Sequence, residues 1–210
     1  LKPNTFEDII AMIALYRPGP LEMKMVDTYI DRKNGDENID YSKDNEVEKI
    51  LKSTYGVIVY QEQVMQLAQE FSGFTLGQAD ILRKAMGKKI PEVMESQKES
   101  FIEGAQNKNK VKRVAEDLWD QIETFAGYGF NKSHSAAYAL ISYQTAWLKS
   151  HYPSQFMASA LSSELDDTDK IKILIDDSHS LGLKINPPDI NKSSKNFLSL
   201  NEENILFGLG

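Results

Sequence analysis

A run of basic residues in the first half of the chain has the composition of a polyanion-binding site. It places four cations within seven residues: Arg83, Lys84, Lys88 and Lys89. Arginine offers a planar fork for phosphate oxygens, and lysine offers a mobile point charge. A nucleoside triphosphate carries about four negative charges, so this run is suited to neutralising one. The residue order is not that of a P-loop. Cations that stabilise a helix C-terminus remain the alternative explanation.

A second polar group lies in the glycine-rich segment 127–135. Its glycines allow another backbone or a ligand to approach closely. Four polar residues follow where a long helix is predicted to begin: Asn131, Lys132, Ser133 and His134. A helix N-terminus offers free amide donors to an anion, and the ring of Tyr128 or Phe130 can stack on a base. In the alternative, the segment is a structural turn, Ser133 caps the helix and the rings lie in the core.

The segment Tyr60–Gln63 opens another predicted helix and carries two side-chain amides. Gln61 and Gln63 can therefore read a base or sugar edge, although a solvated first turn explains the pattern more simply. Residues for bond chemistry are not apparent. Metal-assisted phosphoryl transfer needs carboxylates around paired ions, whereas helix capping and solvation explain the acidic pairs here: Asp166-Asp167, Asp176-Asp177 and Glu202-Glu203. The sequence predicts binding groups without catalytic residues and without a metal site.

Composition places the chain among ordinary globular proteins. The net charge of −7 is unevenly distributed, because residues 83–113 carry +5 and the remainder carries −12. An acidic body with one basic stretch can steer a polyanion to one surface. No stretch of roughly 18 apolar residues indicates a membrane helix, and the absence of cysteine excludes disulfides and cysteine-ligated metals. The first residue, Leu1, is not methionine, which predicts a piece of a longer protein.

Hydrophobic periodicity predicts a mainly α protein. Asn4 and Glu7 resemble a capping box before a first helix that ends near Tyr16. Segment 55–60 could be a short strand, and Gly87 is placed to end a helix in the left-handed conformation. Later helices are predicted at about 21–33, 47–51, 64–71, 76–86, 111–125, 134–149, 156–165 and 170–181, with another beginning at Pro91. We expect a helical domain over 1–182 and a small β appendage over 183–210.

Several motifs together resemble the bacterial DNA polymerase III alpha subunit, a C-family replicative polymerase. They occur in the family's order and span most of the chain: Ile13–Pro20, Tyr55–Met65, Leu82–Lys89, Phe125–Tyr138 and Pro187–Asn191. The resemblance implies the fingers region, a multi-helix domain that closes on the incoming nucleotide and the templating base. It also implies membership of a DNA-directed DNA polymerase, a nucleotidyltransferase of DNA replication. The palm aspartates would lie outside this chain, so we expect the isolated chain to be inactive.

The resemblance also implies roles for particular residues. Arg83 and Lys84 match a basic pair that faces the dNTP triphosphate, although relatives often have two arginines and a lysine lacks bidentate contact. Lys88 and Lys89 match the same motif. The residues expected at the nascent base pair and the primer-template are Tyr128, Asn131, Lys132, Ser133, His134, Gln61 and Gln63.

Cofactor and partners follow from the same resemblance. Mg²⁺ would be held by the palm, and this chain alone would bind no cofactor. The expected partners are primer-template DNA, dNTP and other polymerase III holoenzyme subunits in the bacterial cytoplasm, with no membrane. The alternative is a non-catalytic module that binds DNA or another replisome subunit.

Overall fold

The computed structural model describes residues 1–41, 44–88 and 91–210. Over these residues the chain forms eleven α-helices and one three-stranded sheet. The helices are α1 (Phe6–Leu15), α2 (Pro18–Glu22), α3 (Met25–Asn34), α4 (Asn45–Leu51), α5 (Gln61–Gln66), α6 (Leu76–Lys88), α7 (Pro91–Asn107), α8 (Lys112–Phe125), α9 (Lys132–His151), α10 (Pro153–Ser163) and α11 (Thr168–Ser180). The strands are β1 (Lys184–Asn186), β2 (Leu198–Ser199) and β3 (Asn204–Leu206). The predicted mainly α class is confirmed.

The first compact unit, Leu1–Leu140, contains two clusters of buried apolar side chains. The larger cluster centres on aromatic rings from α7, α8 and the π-helical turn Leu67–Phe71, where Phe101 packs against Phe71 and Trp119. The smaller cluster joins α1 and α3 to segment 57–60 and to Ala139 of α9. These clusters fix α1, α5 and the start of α9 in one unit.

The second unit, Ile141–Gly210, packs α10 and α11 against the small sheet. The strand order is β1-β3-β2, in which β1 pairs with β3 in parallel and β2 pairs with β3 antiparallel. Its core contains Met157, Leu161, Leu183, Phe197 and Ile205. The predicted β segment is therefore present, but the structure divides the chain at 140/141 and groups the last two helices with the sheet.

Local hydrogen bonding changes three predicted features. The capping box of α1 uses Thr5 and Asp8, one residue later than predicted. Helix α6 continues through Gly87 to Lys88, so the predicted left-handed stop is wrong. Segment 55–60 is not a strand: Tyr55 and Gly56 have positive φ, and only Tyr60 makes an isolated bridge. The Thr54 and Gln63 side chains bind the Val57 carbonyl and the Val59 and Tyr60 N–H groups.

Asp8 is the buried anchor of α1. Its carboxylate accepts the backbone N–H groups of Asn4 and Thr5 and lies 3.0 Å from the Lys33 ammonium. The Tyr29 hydroxyl donates to it at 3.3 Å. Burial opposes ionisation of Asp8, but the bonds from Asn4, Lys33 and Thr5 outweigh it and lower the pKa of Asp8. The ionised form is therefore part of the folded structure.

Asp8→Asn should lower the unfolding free energy at pH 7 by about 3 kcal/mol, because it leaves Lys33 buried without its counter-charge. Because the pKa of Asp8 is lower in the folded state than in the unfolded state, its charge stabilises the fold at pH values above the unfolded pKa of about 3.9. That stabilisation is lost as the pH falls through the folded pKa. The deficit should therefore shrink at pH 3, as measured by urea denaturation. Asp31→Asn, an exposed change on α3, is the control. An equal deficit at both pH values would contradict this role of the Asp8 charge.

Candidate functional site

The segment that opens α5 lies directly beside the glycine-rich segment. Tyr60 and Phe130 form a parallel bridge, and the Gln61 N–H donates to the Phe130 carbonyl at 3.0 Å. The Gln61 side-chain amide also donates to the Gly129 carbonyl at 3.3 Å. A Cβ on Gly129 would come within 2.9 Å of Gln61 and 3.0 Å of Phe125, so this approach requires glycine. Two segments 70 residues apart in the chain therefore form one surface.

The carboxylate of Glu62 caps α9. It accepts the Lys132 backbone N–H at 2.9 Å and the Asn131 side-chain amide at 2.7 Å. The Asn131 side-chain oxygen in turn accepts the His134 N–H at 2.9 Å. Asn131 is thus the cap residue and the helix begins at Lys132, so the alternative in which Ser133 caps the helix is wrong. The predicted anion position at this helix N-terminus is occupied by the protein's own carboxylate.

Four of the seven residues predicted to face the primer-template share one exposed surface at the start of α9. Four side chains are exposed there: Asn131, Lys132, Ser133 and His134. The His134 ring centroid lies 5.3 Å from that of Phe130 and 4.6 Å from that of Tyr138, which is itself half-exposed. Tyr128 is partly buried, with its ring against Gly19. The start of α9 therefore combines hydrogen-bonding groups with an aromatic row.

Gln63 has a different environment from Gln61. It is buried, and its oxygen accepts the backbone N–H groups of Val59 and Tyr60 at 2.9 and 3.0 Å. Its nitrogen donates to the Thr54 hydroxyl at 2.7 Å, and that hydroxyl donates to the Val57 carbonyl. These bonds replace the ladder that a strand would have supplied. They give Gln63 a structural role in place of the predicted base contact.

The basic pair on α6 is organised by Asp80. One oxygen of Asp80 accepts two N–H groups of Arg83, at 2.7 and 3.0 Å. The other lies 2.8 Å from the Lys84 ammonium. The bonds from Lys84 and Arg83 lower the pKa of Asp80. Lys88 is exposed at the end of α6, whereas Lys89 lies outside the described residues. The structure thus brings Arg83 and Lys84 to one carboxylate at the surface.

The other cations of the basic stretch have acidic partners. The Lys110 ammonium lies 2.7 Å from Asp44 and 2.8 Å from Glu46. Lys98, Lys108, Lys112 and Arg113 also form ion pairs, with Asp120, Glu46, Glu116 and Asp117 respectively. Most of the excess positive charge between residues 83 and 113 is therefore locally compensated. It does not form one continuous basic surface.

The basic pair on α6 and the surface at the start of α9 are connected through α5. This helix begins at Gln61, beside the glycine-rich segment, and packs along α6, which carries Arg83 and Lys84. Glu62 and Asp80, which organise the two groups, were not predicted from the sequence. A carboxylate three and four residues before the paired cations is a signal that could have identified Asp80. Glu62 carried no comparable local signal, because its partners lie far along the chain.

Within residues 1–41, 44–88 and 91–210, we find no group of three or more acidic or histidine side chains placed to hold a metal ion. The same ranges contain no helix with both the length and the apolar character that crossing a membrane requires.

Comparison with known sequences defines the class of protein. A family described as "Bacterial DNA polymerase III alpha subunit finger domain" matches residues 1–109, which contain α1–α7 and the basic pair. The matched domain is thus a helical polymerase finger domain. The chain belongs to the bacterial DNA polymerase III alpha subunit finger domain family, which confirms the resemblance carried by the sequence motifs.

Relatives match over the whole chain. It is 56% identical to a DNA polymerase III subunit alpha of Pasteurella multocida, 55% to one of Campylobacter jejuni and 52% to one of Escherichia coli K12. Each match covers 100% of this chain and 18% of the relative. The chain thus spans about a fifth of the length of these subunits.

Replacing Glu62 should loosen the first turn of α9. In Glu62→Ala, the amides of Lys132 and His134 should exchange hydrogen about fivefold faster, which corresponds to about 1 kcal/mol for a lost cap. Hydrogen exchange resolved by NMR measures this effect. Glu123→Ala, an exposed change on α8, should leave both amides unchanged. If the amides of Glu62→Ala exchange hydrogen at the wild-type rate, Asn131 caps the helix without Glu62.

Replacing Gln63 should destabilise the fold. Gln63→Met retains much of the side-chain volume but leaves the buried N–H groups of Val59 and Tyr60 without an acceptor, at a cost of about 3 kcal/mol. Chemical denaturation gives the change in unfolding free energy. Gln66→Met, at an exposed position of the same helix, should change it by less than about 0.5 kcal/mol. Equal effects at the two positions would contradict the role of the buried network.

Proposed function

We propose that this chain is the part of a bacterial replicative DNA polymerase that binds the incoming dNTP and the primer-template. The observation that carries the proposal is the pair Arg83 and Lys84, held on one carboxylate at the surface of a polymerase finger domain. The names of the relatives support the polymerase assignment.

The basic pair has donors left for a ligand. Asp80 occupies only the Nε and Nη2 edge of Arg83, so the other edge of the guanidinium can reach a phosphate oxygen. Lys84 is more exposed than Arg83 and can rotate its ammonium towards a second oxygen. The pair retains a net charge of +1 after pairing with Asp80. It would orient the triphosphate and offset its charge, with Lys88 and Lys89 as further cations.

The exposed start of α9 would contact the nascent base pair and the primer-template. Lys132 and Ser133 can bind backbone phosphates, and Asn131 and His134 offer polar edges beside an aromatic row. Of the two side-chain amides at the start of α5, we propose only Gln61 for a base contact, because Gln63 is buried.

Bond formation would depend on residues outside these 210. Phosphoryl transfer needs metal ions that offset charge on the reacting oxygens, and the described residues contain no acidic cluster for them. We propose that Mg²⁺ is held elsewhere in the polymerase. The residues here would then position the substrates, which lowers the barrier without making or breaking a bond.

A subunit-interaction module is the second candidate function. It is favoured by the large apolar side chains exposed on the later part of α9 and just beyond it: Ile141, Trp147, Leu148 and Tyr152. Exposed apolar surface of this kind often marks a protein interface. The two candidates differ in their response to salt, because phosphate contacts weaken as salt rises and apolar contacts do not.

In the full-length polymerase subunit, Arg83→Ala should lower kcat/KM for dNTP about 10- to 100-fold, since a hydrogen bond to a charged phosphate is lost. Steady-state primer extension measures this change. Arg113→Ala removes an equally charged but highly exposed side chain on α8 and should retain wild-type kinetics. Unchanged kcat/KM in a correctly folded Arg83→Ala protein would rule out the triphosphate role.

A further inference from the structure

Arg17, the residue just before α2, connects the junction of α1 and α2 to the glycine-rich segment. Its Nε donates to the Ala14 carbonyl at 3.0 Å, and its Nη2 donates to the Tyr128 carbonyl. The guanidinium carbon lies 4.5 Å from the centre of the Phe130 ring. Burial lowers the pKa of Arg17, and the two carbonyls and the ring face accommodate its charge. One side chain thus contacts both neighbours of Gly129, through the Tyr128 carbonyl and the Phe130 ring.

Gly19 lies in α2, directly beneath the Tyr128 ring. A Cβ on Gly19 would be 2.1 Å from Cδ1 and 2.3 Å from Cε1 of Tyr128. These distances are far below van der Waals contact, so the ring and a larger residue cannot occupy these positions together. The backbone of Gly19 does not have positive φ. The requirement for glycine is therefore steric, and it depends on the ring of one other residue.

The two contacts hold the glycine-rich segment in addition to the bonds that it makes with α5. Gln61 and Glu62 bind the segment at Gly129, Phe130, Asn131 and Lys132. Arg17 and Gly19 contact it at Tyr128 and Phe130. A segment with two glycines has large conformational freedom. Here that freedom is removed by residues on two other elements.

We propose that Arg17 and Gly19 are positioning residues for the primer-template surface at the start of α9. Arg17 fixes the backbone at Tyr128, Gly19 fixes the ring of Tyr128, and together they orient the exposed side chains of Asn131–His134. This inference rests on the proposed function of that surface, but it assigns Arg17 and Gly19, at the start of α2, a task that their own local sequence does not indicate.

Gly19→Ala in the full-length polymerase subunit tests the steric contact. The new methyl group should displace the Tyr128 ring and lower kcat/KM for primer extension about tenfold or more, since a shift of about 1 Å can cost that much. The loss should appear mainly as a higher KM for primer-template. Gly77→Ala is the matched control, because it also adds a methyl group to a helical glycine but has no heavy atom within 4 Å of the new Cβ.

A double-mutant cycle separates positioning from general damage. In a Tyr128→Ala background the ring is absent, so adding Gly19→Ala should cause no further loss of kcat/KM. Losses that multiply in the double variant would overturn the proposal, as would wild-type kinetics in Gly19→Ala. The Tm of each variant, measured in parallel, identifies any loss that comes from unfolding.

Arg17→Lys provides a second, independent variant if Gly19→Ala does not fold. It keeps the charge but cannot span both carbonyls from one planar group, so the KM for primer-template should rise severalfold at an unchanged Tm. An unchanged KM would overturn the proposal. Arg83→Ala distinguishes this result from failure of the proposed function: an impaired Arg83→Ala enzyme beside a normal Arg17→Lys enzyme rejects only the positioning role.

Discussion

The pairing of the start of α5 with the start of α9 is the constraint on which the candidate site depends. Two segments far apart in the chain share a backbone bridge at Tyr60 and Phe130, and the Glu62 carboxylate binds the first amide of α9. A carboxylate at a helix N-terminus is stabilised by the unpaired amides and by the helix dipole. Because Glu62 occupies this position, the start of α9 is a positioned surface with exposed side chains, and its first amides are no longer an open anion site.

The charge pattern has a comparable local organisation. The basic stretch has the net charge of a polyanion-binding surface, yet acids from outside it, such as Asp44, neutralise Lys110. Asp80 lies beside the basic pair without removing its net positive charge. A chain that carries a net charge of −7 can therefore present a small cationic site without a broad basic face. Such a site would favour a compact triphosphate over indiscriminate binding along DNA.

Helical periodicity predicted most of the helices and the mainly α class, because the buried faces of α6 and α8 recur at the spacing of one helical turn. The strand predicted at 55–60 is absent for a physical reason: its β-branched residues are buried, but the Thr54 and Gln63 side chains bind the Val57 carbonyl and the Val59 N–H in place of a neighbouring strand. The sequence motifs predicted Arg83, Lys84 and Asn131–His134 as site residues, and the structure places these side chains at the surface. The roles of Glu62 and Arg17 could not be predicted from these motifs, because they bind atoms about 70 and 111 residues further along the chain.

The glycine-rich segment shows why local sequence underdetermines such a site. Its own residues favour many conformations, and the observed one is held by contacts with Gln61 and Glu62 and by contacts with Arg17 and Gly19. Gly19 in particular has no unusual backbone angle, and its identity is explained only by the ring of Tyr128. In the proposed function, the contact residues would have to be held in register with a reacting centre formed elsewhere. Contacts from two other elements with the glycine-rich segment would meet that requirement, because the segment would be ordered before a substrate binds.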